Sequence, residues 1–396
     1  MTGRRPPRVL TVNTGSSSLK SALYEMAGSE SRLFLARAEG VGGSQSMFHI
    51  EDATGKTLVS RRDSIPDHEA ALKLYLSWIE TSDFAQTLDG IGHRIVHGSA
   101  FSEPAAIDES LLAQLDQVAP LAPDHMPQAL AAIRALGRAF PAVRQVACFD
   151  TAFHRTMPRQ AQLYGLPRSL AGDNVVRFGF HGLSCEYVLQ ELRETGAGIG
   201  RGRLIIAHLG NGASITAVRD GRSIDTSMGF TPAAGMMMST RSGDLDPGIT
   251  VFLLDQKGLD AGRLNRLINQ ESGLLGLSGT SSQMDALLEA EPRDSRAAEA
   301  IAVFCYQAKR FLGAYYAVLG GLDTLVFTGG IGENAPSIRE RICRGLDHMG
   351  IGLDEASNQA NAPVISAAGS PATVRVVKTN EELVVARHTR DIIQST

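Results

Sequence analysis

An apolar run that turns on glycine and returns as a second apolar run constrains this chain most: Leu204-Ile-Ile-Ala-His-Leu-Gly-Asn-Gly-Ala-Ser-Ile-Thr-Ala-Val218. A shorter version stands near the N-terminus, Arg8-Val-Leu-Thr-Val-Asn-Thr-Gly-Ser-Ser-Ser-Leu-Lys-Ser-Ala-Leu-Tyr24, and a related turn, Phe327-Thr-Gly-Gly-Ile-Gly-Glu-Asn334, follows a third apolar run. Small residues let backbone N–H groups approach phosphate oxygens, and the hydroxyls and Lys20 add donors and charge. Neither hairpin matches G-x-x-x-x-G-K-[ST] or G-x-G-x-x-G, so P-loop and Rossmann fingerprints are absent. One such turn would be an ordinary β-hairpin. Two in one chain imply duplicated domains with phosphate held between them.

At 396 residues the chain exceeds what one core usually supports, so two domains are expected. They are drawn at 1–150 and 151–381, with 382–396 packing back on the first. A charged fraction of 20% and a hydrophobic fraction of 43% are ordinary for a soluble globular protein, and a net charge of −4 gives no electrostatic reason to expect nucleic acid. No apolar run has the length to span a bilayer, and the basic start, Met1-Thr-Gly-Arg-Arg-Pro-Pro-Arg8, leads into a strand instead of a signal-peptide core. A cytoplasmic protein without a membrane partner is the expectation. Cys148, Cys185, Cys305 and Cys343 show no metal spacing and read as buried thiols. His93 and His97 read as neighbours on one face of a strand, with no third metal ligand in view.

Asp89 to Gly98 reads as a strand entering a turn, Gln128 to Phe140 as a helix, and Gln145 to Asp150 as a short strand. Asp150 therefore stands at a strand's C-terminal edge, where open α/β sheets place ligand chemistry. Between Asp294 and Gly320, apolar residues at Ile301, Phe304, Cys305, Ala308, Phe311, Leu312 and Tyr315 mark a core helix. Thr324 to Thr328 forms a strand, and Gly329 to Asn334 turns into a helix with Pro336 in its first turn, a junction suited to phosphate or nucleoside.

These segments together resemble the acetate kinases, within the superfamily that also holds sugar kinases, Hsp70-type ATPases and actin. The resemblance runs from about residue 8 to 390 through Asn13-Thr-Gly-Ser-Ser-Ser-Leu-Lys20, Gly92-His-Arg-Ile-Val-His-Gly98, Phe149-Asp-Thr-Ala-Phe-His154, Gly179-Phe-His-Gly182, His208-Leu-Gly-Asn-Gly-Ala-Ser214, Thr240-Arg-Ser-Gly-Asp-Leu-Asp-Pro247, Gly330-Ile-Gly-Glu-Asn334 and Thr379-Asn-Glu-Glu-Leu383. It implies an α/β fold of two actin-like (ribonuclease H-like) domains, each with a mixed sheet, and a nucleotide cleft between them. It also implies ATP as co-substrate, Mg²⁺ with Mn²⁺ as a substitute, a homodimer, and reversible phosphoryl transfer to a short carboxylic acid. Acetate is the first expectation and propionate the next.

By similarity Arg94 holds the substrate carboxylate or transferring phosphoryl, while Arg241 and His181 stabilise the equatorial oxygens. Arginine forks suit a reaction that gathers two anions and spreads charge over the transferring group. Asp150 resembles the catalytic carboxylate, but a carboxylate acceptor is already ionised at pH 7 and needs no base, so orienting a cation is the better role. Asn13 and Glu381 match the Mg²⁺ site; without the resemblance, Glu381 would read as a solvated acid after an N-cap at Asn380. Lys20, Ser16, Ser18, His208, Leu209, Gly210, Asn211, Gly212, Gln283, Met284, Asp285, Gly330, Ile331, Gly332, Glu333 and Asn334 take the nucleotide roles. Val96, Phe180 and Pro232 correspond to the acyl pocket, where each alone would more often be core.

Four departures limit the resemblance. Asp124 stands where the family carries a pocket leucine, and Leu183-Ser184-Cys185 replaces Thr-Ser-His. Ser281-Ser-Gln-Met-Asp285 lacks both charged positions of the usual nucleotide segment, and Ala233-Ala234 replaces Leu-Glu. Asp124 is expected to point outward, with Met126 turned inward as the apolar wall. A sugar kinase on the same fold would need Asp150 as a base against a hydroxyl, and would lack use for Arg94, Arg241 and His181. An Hsp70-like regulatory ATPase would need a coupled binding domain, for which the sequence after Glu381 leaves no room.

Overall fold

The computed structural model describes residues 5–15, 17–172, 174–195 and 202–395. The chain divides into two compact units, one of Met1–Ala152 with Asn380–Thr396 and one of Phe153–Thr379.

The first unit is built on an eight-stranded mixed sheet: β1 (Arg8–Thr14), β2 (Ser18–Met26), β3 (Glu30–Glu39), β4 (Ser46–Asp52), β5 (Thr57–Asp63), β6 (Gly90–Ile95), β7 (Ala105–Ala106) and β8 (Arg144–Phe149). Their order is β5-β4-β3-β2-β1-β6-β8-β7. Strands β1 to β5 meander antiparallel, whereas β1, β6 and β8 run parallel and bring their C-terminal ends to one edge. The period of two along β1 assigns its side chains to opposite faces. Leu10 and Val12 pack with Tyr75, Ile79 and Leu136 of the helices His68–Glu80 and Met126–Ala139, while Val9 packs with Tyr24 and Ala386 of the C-terminal helix Glu381–Gln394. That helix starts on Asn380, whose side chain accepts from Leu383 N at 3.1 Å, a cap worth about 1 kcal/mol. Its close approach to β6 requires Gly92: a Cβ there would fall 2.3 Å from Thr389 Oγ1 and 2.6 Å from Val385.

The second unit repeats part of that plan. Its strands β9 (Arg203–Leu209), β10 (Ala213–Arg219), β11 (Arg222–Thr226), β12 (Thr324–Thr328) and β13 (Thr373–Val376) lie in the order β11-β10-β9-β12-β13. Three antiparallel strands are thus followed by two parallel ones, as in β3-β2-β1-β6-β8. The Ser295–Leu319 helix, capped by Asp294, buries Ile301, Phe304, Cys305, Ala308, Leu312 and Tyr315; Phe311 is only half-buried. All four cysteines are buried and unpaired with one another. Among the described residues no helix is long and apolar enough to cross a membrane.

Two sequence expectations need correction. Gly329–Asn334 is itself a short helix, followed by a separate one over Pro336–Cys343. Glycine disfavours helix, but here the ends are satisfied from outside the local sequence. Glu333 Oε1 accepts from Gly329 N at 3.0 Å, and buried Arg339 donates through Nη1 to the carbonyls of Gly332 at 2.8 Å and Glu333 at 3.1 Å. His93 and His97 do not share a strand. β6 ends at Ile95, and the chain leaves the sheet through Gly98, where a Cβ would collide with the Phe149 ring at 2.7 Å.

Candidate active site

In the first unit, the shared strand edge gathers four of the residues singled out from sequence. Asn13 comes from β1, Arg94 from β6, Asp150 directly follows β8, and Glu381 opens the C-terminal helix. Arg94 donates through Nη1 to Asn13 Oδ1 at 3.1 Å and through Nε to Asp150 Oδ2 at 3.1 Å, with a second short bond from Nη2 to the same oxygen. Glu381 Oε2 lies 3.5 Å from Arg94 Nε. Asp150 is fully buried, and its Oδ1 has no hydrogen-bond partner in the protein.

Burying these charges is costly unless they pair. Burial works against the charge on Arg94, but Asp150 and Glu381 outweigh it and hold the guanidinium above its ordinary pKa. The Glu381 carboxyl is pushed up to about 7 by burial, opposed by Arg94 and reinforced by Asp150 and Glu382. The arrangement concentrates more carboxylate than one arginine neutralises, so it favours a further cation.

Among the described residues, no group of three or more His, Cys, Asp or Glu side chains could hold a metal unaided. A Mg²⁺ shared with phosphates needs only one or two protein carboxylates and keeps several waters. Hard oxygen donors at Asn13 and Glu381, beside the unpartnered Oδ1 of Asp150, fit that requirement.

Near these residues, Lys20 pairs with Asn13 across the first hairpin and is exposed, and Ser18 is half-buried at the start of β2. Ser16 lies outside the described residues. Val96 is buried just beyond β6. Met126 is buried in the first turn of its helix, whereas Asp124 is half-exposed.

The second unit assembles a separate set around its hairpin. His181 adopts the left-handed conformation, φ 60°, immediately before the Gly182–Glu194 helix. That backbone costs about 1–2 kcal/mol outside glycine. The imidazole Nδ1 lies 3.0 Å from Ser214 Oγ, and the ring stacks on His208 with centroids 4.2 Å apart. A Cβ on Gly212 would stand 3.0 Å from His181 Nε2, tighter than ordinary contact, and 3.6 Å from Arg241 Nη1, so the hairpin passes close to both side chains. Arg241 Nη1 donates to Pro232 O at 3.3 Å. Phe180 is buried beside this segment, and its carbonyl accepts from His154 Nε2 at 2.9 Å.

A cavity of about 550 Å³ in the same unit is lined by Gly210, Asn211, Gln283, Met284, Asp285, Gly330, Ile331 and Asn334. Eight residues from three distant segments converge there, next to the N-terminus of the Gly329–Asn334 helix. Gln283 and Asp285 are exposed on its wall, and Asp285 belongs to the first turn of the Met284–Ala290 helix, where negative charge is favoured. Leu209 and Gly332 are instead buried in the scaffold. Glu333 is also absent from this wall, since its Oε1 is held by Gly329 N and by Thr379 N at 3.1 Å. Sequence reading overlooked Ser239, which lines the cavity and donates to Asn211 Oδ1 at 3.2 Å, although it directly precedes the Thr240–Pro247 motif.

With this geometry in hand, comparison with known proteins is specific. The family model described as the Acetokinase family matches residues 8–387. An acetate kinase of Heliobacterium modesticaldum is 43% identical, the match covering 98% of this chain and 99% of that protein. The crystal structure of Porphyromonas gingivalis acetate kinase matches at 39% identity with a TM-score of 0.87, covering 98% of this chain and 100% of that one. A propionate kinase structure from Francisella tularensis matches at 35% identity and a TM-score of 0.90, covering 97% and 99%. The mixed α/β architecture, with its two sheets, is the actin-like ATPase fold of these kinases, and the chain belongs to the acetokinase family.

Proposed function

We propose that this protein is an acetate kinase, which reversibly moves the γ-phosphoryl group of ATP to acetate and acts as a cytoplasmic homodimer. The observation that carries the reading is the partly buried Arg94, held on one edge by fully buried Asp150 and by Asn13. A guanidinium fixed in this way can receive a carboxylate or a phosphoryl oxygen without reorganising, which is how fixed donors lower a charged transition state.

The acid's carboxylate oxygen attacks the γ-phosphorus, a P–O bond forms, and the bond to ADP breaks with its electron pair leaving on the β-phosphate oxygen. No proton is removed from the acid, which is ionised near pH 7. Arg94 binds the acid; His181 and Arg241 donate to the transferring group, each donor worth roughly a few kcal/mol. Asp150 orients Arg94. ATP occupies the cavity lined by Gly210, Asn211, Gly330 and Asn334, and the family resemblance gives Lys20, Ser16 and Ser18 as further phosphate donors. Asn13 and Glu381 would hold Mg²⁺, which supplies charge neutralisation of the phosphates when bound. Following the phosphorus spectrum of ATP, Mg²⁺ and acetate tests the reading: an acetyl phosphate resonance should appear, and ADP with inorganic phosphate alone would refute it.

Propionate is the second reading of the acid, supported by alanines at 233 and 234 and by the likeness to a propionate kinase structure. The homodimer is supported by the Pro247–Asp255 helix, which buries none of its residues and leaves Ile249, Val251 and Phe252 about half exposed. Sedimentation should give a dimer for the native chain and a monomer for Phe252→Glu; a native monomer would remove the dimer from this account.

A further inference from the structure

A hydrogen-bonded chain in the second unit links its phosphate hairpin to its nucleoside helix through Ser184 and Thr379, which carry no assigned role. His208, at the end of β9, directs Nδ1 to Ser184 Oγ at 2.8 Å. Ser184 is fully buried inside the Gly182–Glu194 helix, and its hydroxyl also meets Thr379 Oγ1 at 2.9 Å. Thr379 in turn donates its backbone N–H to Glu333 Oε1, the same oxygen that holds Gly329 N. His208 Nε2 lies 4.0 Å from where a Cβ on Gly210 would stand, at the turn that lines the nucleotide cavity.

The chain has two possible polarities. A neutral imidazole carries one proton, so a hydroxyl donating to Nδ1 leaves the proton on Nε2, and the reverse polarity puts it on Nδ1. Phosphate oxygens only accept hydrogen bonds. A neutral His208 facing a polyphosphate must therefore carry Nε2–H, which requires Ser184 to donate to Nδ1 and Thr379 to donate to Ser184. We propose that Ser184 and Thr379 are positioning residues that fix His208 as the Nε2–H tautomer, so that the ring presents a donor to the nucleotide phosphates. Glu333 anchors this relay by holding Thr379 and Gly329 on one carboxylate oxygen, so the hairpin and the nucleoside helix share one register. The inference rests on the proposed nucleotide role of this unit.

Long-range ¹H–¹⁵N correlation on ¹⁵N-histidine-labelled full-length protein, with ADP and Mg²⁺ as the probe, reads the tautomer directly. His208 is assigned by the signal missing from His208→Asn. The native protein should show a single Nε2–H tautomer with an accepting Nδ1. Ser184→Ala and Thr379→Val should each yield mixed tautomers and weaken ADP about tenfold, the scale of one lost hydrogen bond. Thr379→Ser keeps the hydroxyl and should restore both readings, which separates the relay from packing. A native Nδ1–H tautomer, or an unchanged Nε2–H in both Ser184→Ala and Thr379→Val, would overturn the proposal. Tight ADP binding with the expected tautomer but no acyl phosphate would sink the acetate kinase reading and leave the relay standing; no ADP binding would overturn both.

Discussion

Arg94 and Asp150 are joined through a single carboxylate oxygen: Nε and Nη2 of the arginine both donate to Oδ2, and Oδ1 has no partner in the protein. A base waiting for a substrate proton would not spend its accepting oxygen on a permanent cation. The geometry instead matches a carboxylate that aims a guanidinium and presents its second oxygen to a water or metal shell.

Asp150→Asn should therefore lower kcat by on the order of 10²-fold, because the amide oxygen can still accept from Arg94 but no longer carries the negative charge that holds the guanidinium in place. The acidic limb of the pH–rate profile should keep its pKa, since no proton abstraction is removed. A kinetic pKa present in the native enzyme and absent from the variant would assign Asp150 as a base.

Met126 is fully buried at the start of its helix, and half-exposed Asp124 precedes it by two residues. A carboxylate buried beside a substrate carboxylate would cost several kcal/mol. Met126→Ala should raise kcat/KM for propionate or butyrate relative to acetate, whereas Asp124→Leu should leave acid preference nearly unchanged. The opposite pattern would put Asp124 in the acyl pocket.

The nucleotide cavity carries Gln283 and Asp285 where the family resemblance predicts an acid and an arginine. Asp285 Oδ1 accepts from Ala286 N at 2.8 Å, so part of its charge is absorbed by its own helix start. Asp285→Arg should still lower the KM for ATP by about two- to tenfold, as repulsion from a polyphosphate becomes attraction. GTP should compete well with ATP in the native enzyme. A raised ATP KM in the variant, with sharp native discrimination, would give this segment a different role.

Two histidines set the acid side of the stability profile. Burial pushes His93, bonded to Gln145, and His154, bonded to the Phe180 carbonyl, down to about 4 from an ordinary 6.5. Both are neutral when folded, and the unfolded chain binds more protons between those values. Their stabilising contribution is full above about pH 6.5 and is lost as pH falls toward 4, with a combined slope of up to about 2.7 kcal/mol per pH unit near pH 5. Denaturant titrations at pH 7, 6 and 5 should show this contribution set against the opposite one of Glu381, whose carboxyl is held up to about 7, and His93→Gln should remove about half of the histidines' share. An unchanged slope in that variant would mean His93 titrates normally.

The hairpins and the long helix were legible because their signals are local: alternation around Gly210 and Gly212, a capping aspartate at 294 and an apolar stripe ending at Gly320. Arg94, Asp150 and the lining of the nucleotide cavity were legible through motifs. The partners that orient them were not. Ser184 sits mid-helix among apolar neighbours, Thr379 lies 195 positions along the chain from it, and Arg339 secures the Gly329–Asn334 helix through carbonyl contacts. Such contacts join side chains distant in sequence to backbone groups and leave no periodic trace. The same physics hid the short glycine-rich helix, whose propensity is overridden by Glu333 and Arg339 closing its two ends.

Trapping the product with hydroxylamine tests the central claim most directly, because an acyl phosphate reacts to give a hydroxamate and an ordinary phosphate ester does not. With ATP and Mg²⁺ present, acetate should give hydroxamate in proportion to ADP formed, propionate should follow, and Arg94→Ala should lower the yield rate by on the order of 10²-fold or more. ADP release without hydroxamate from any C2 to C4 acid would contradict the assignment.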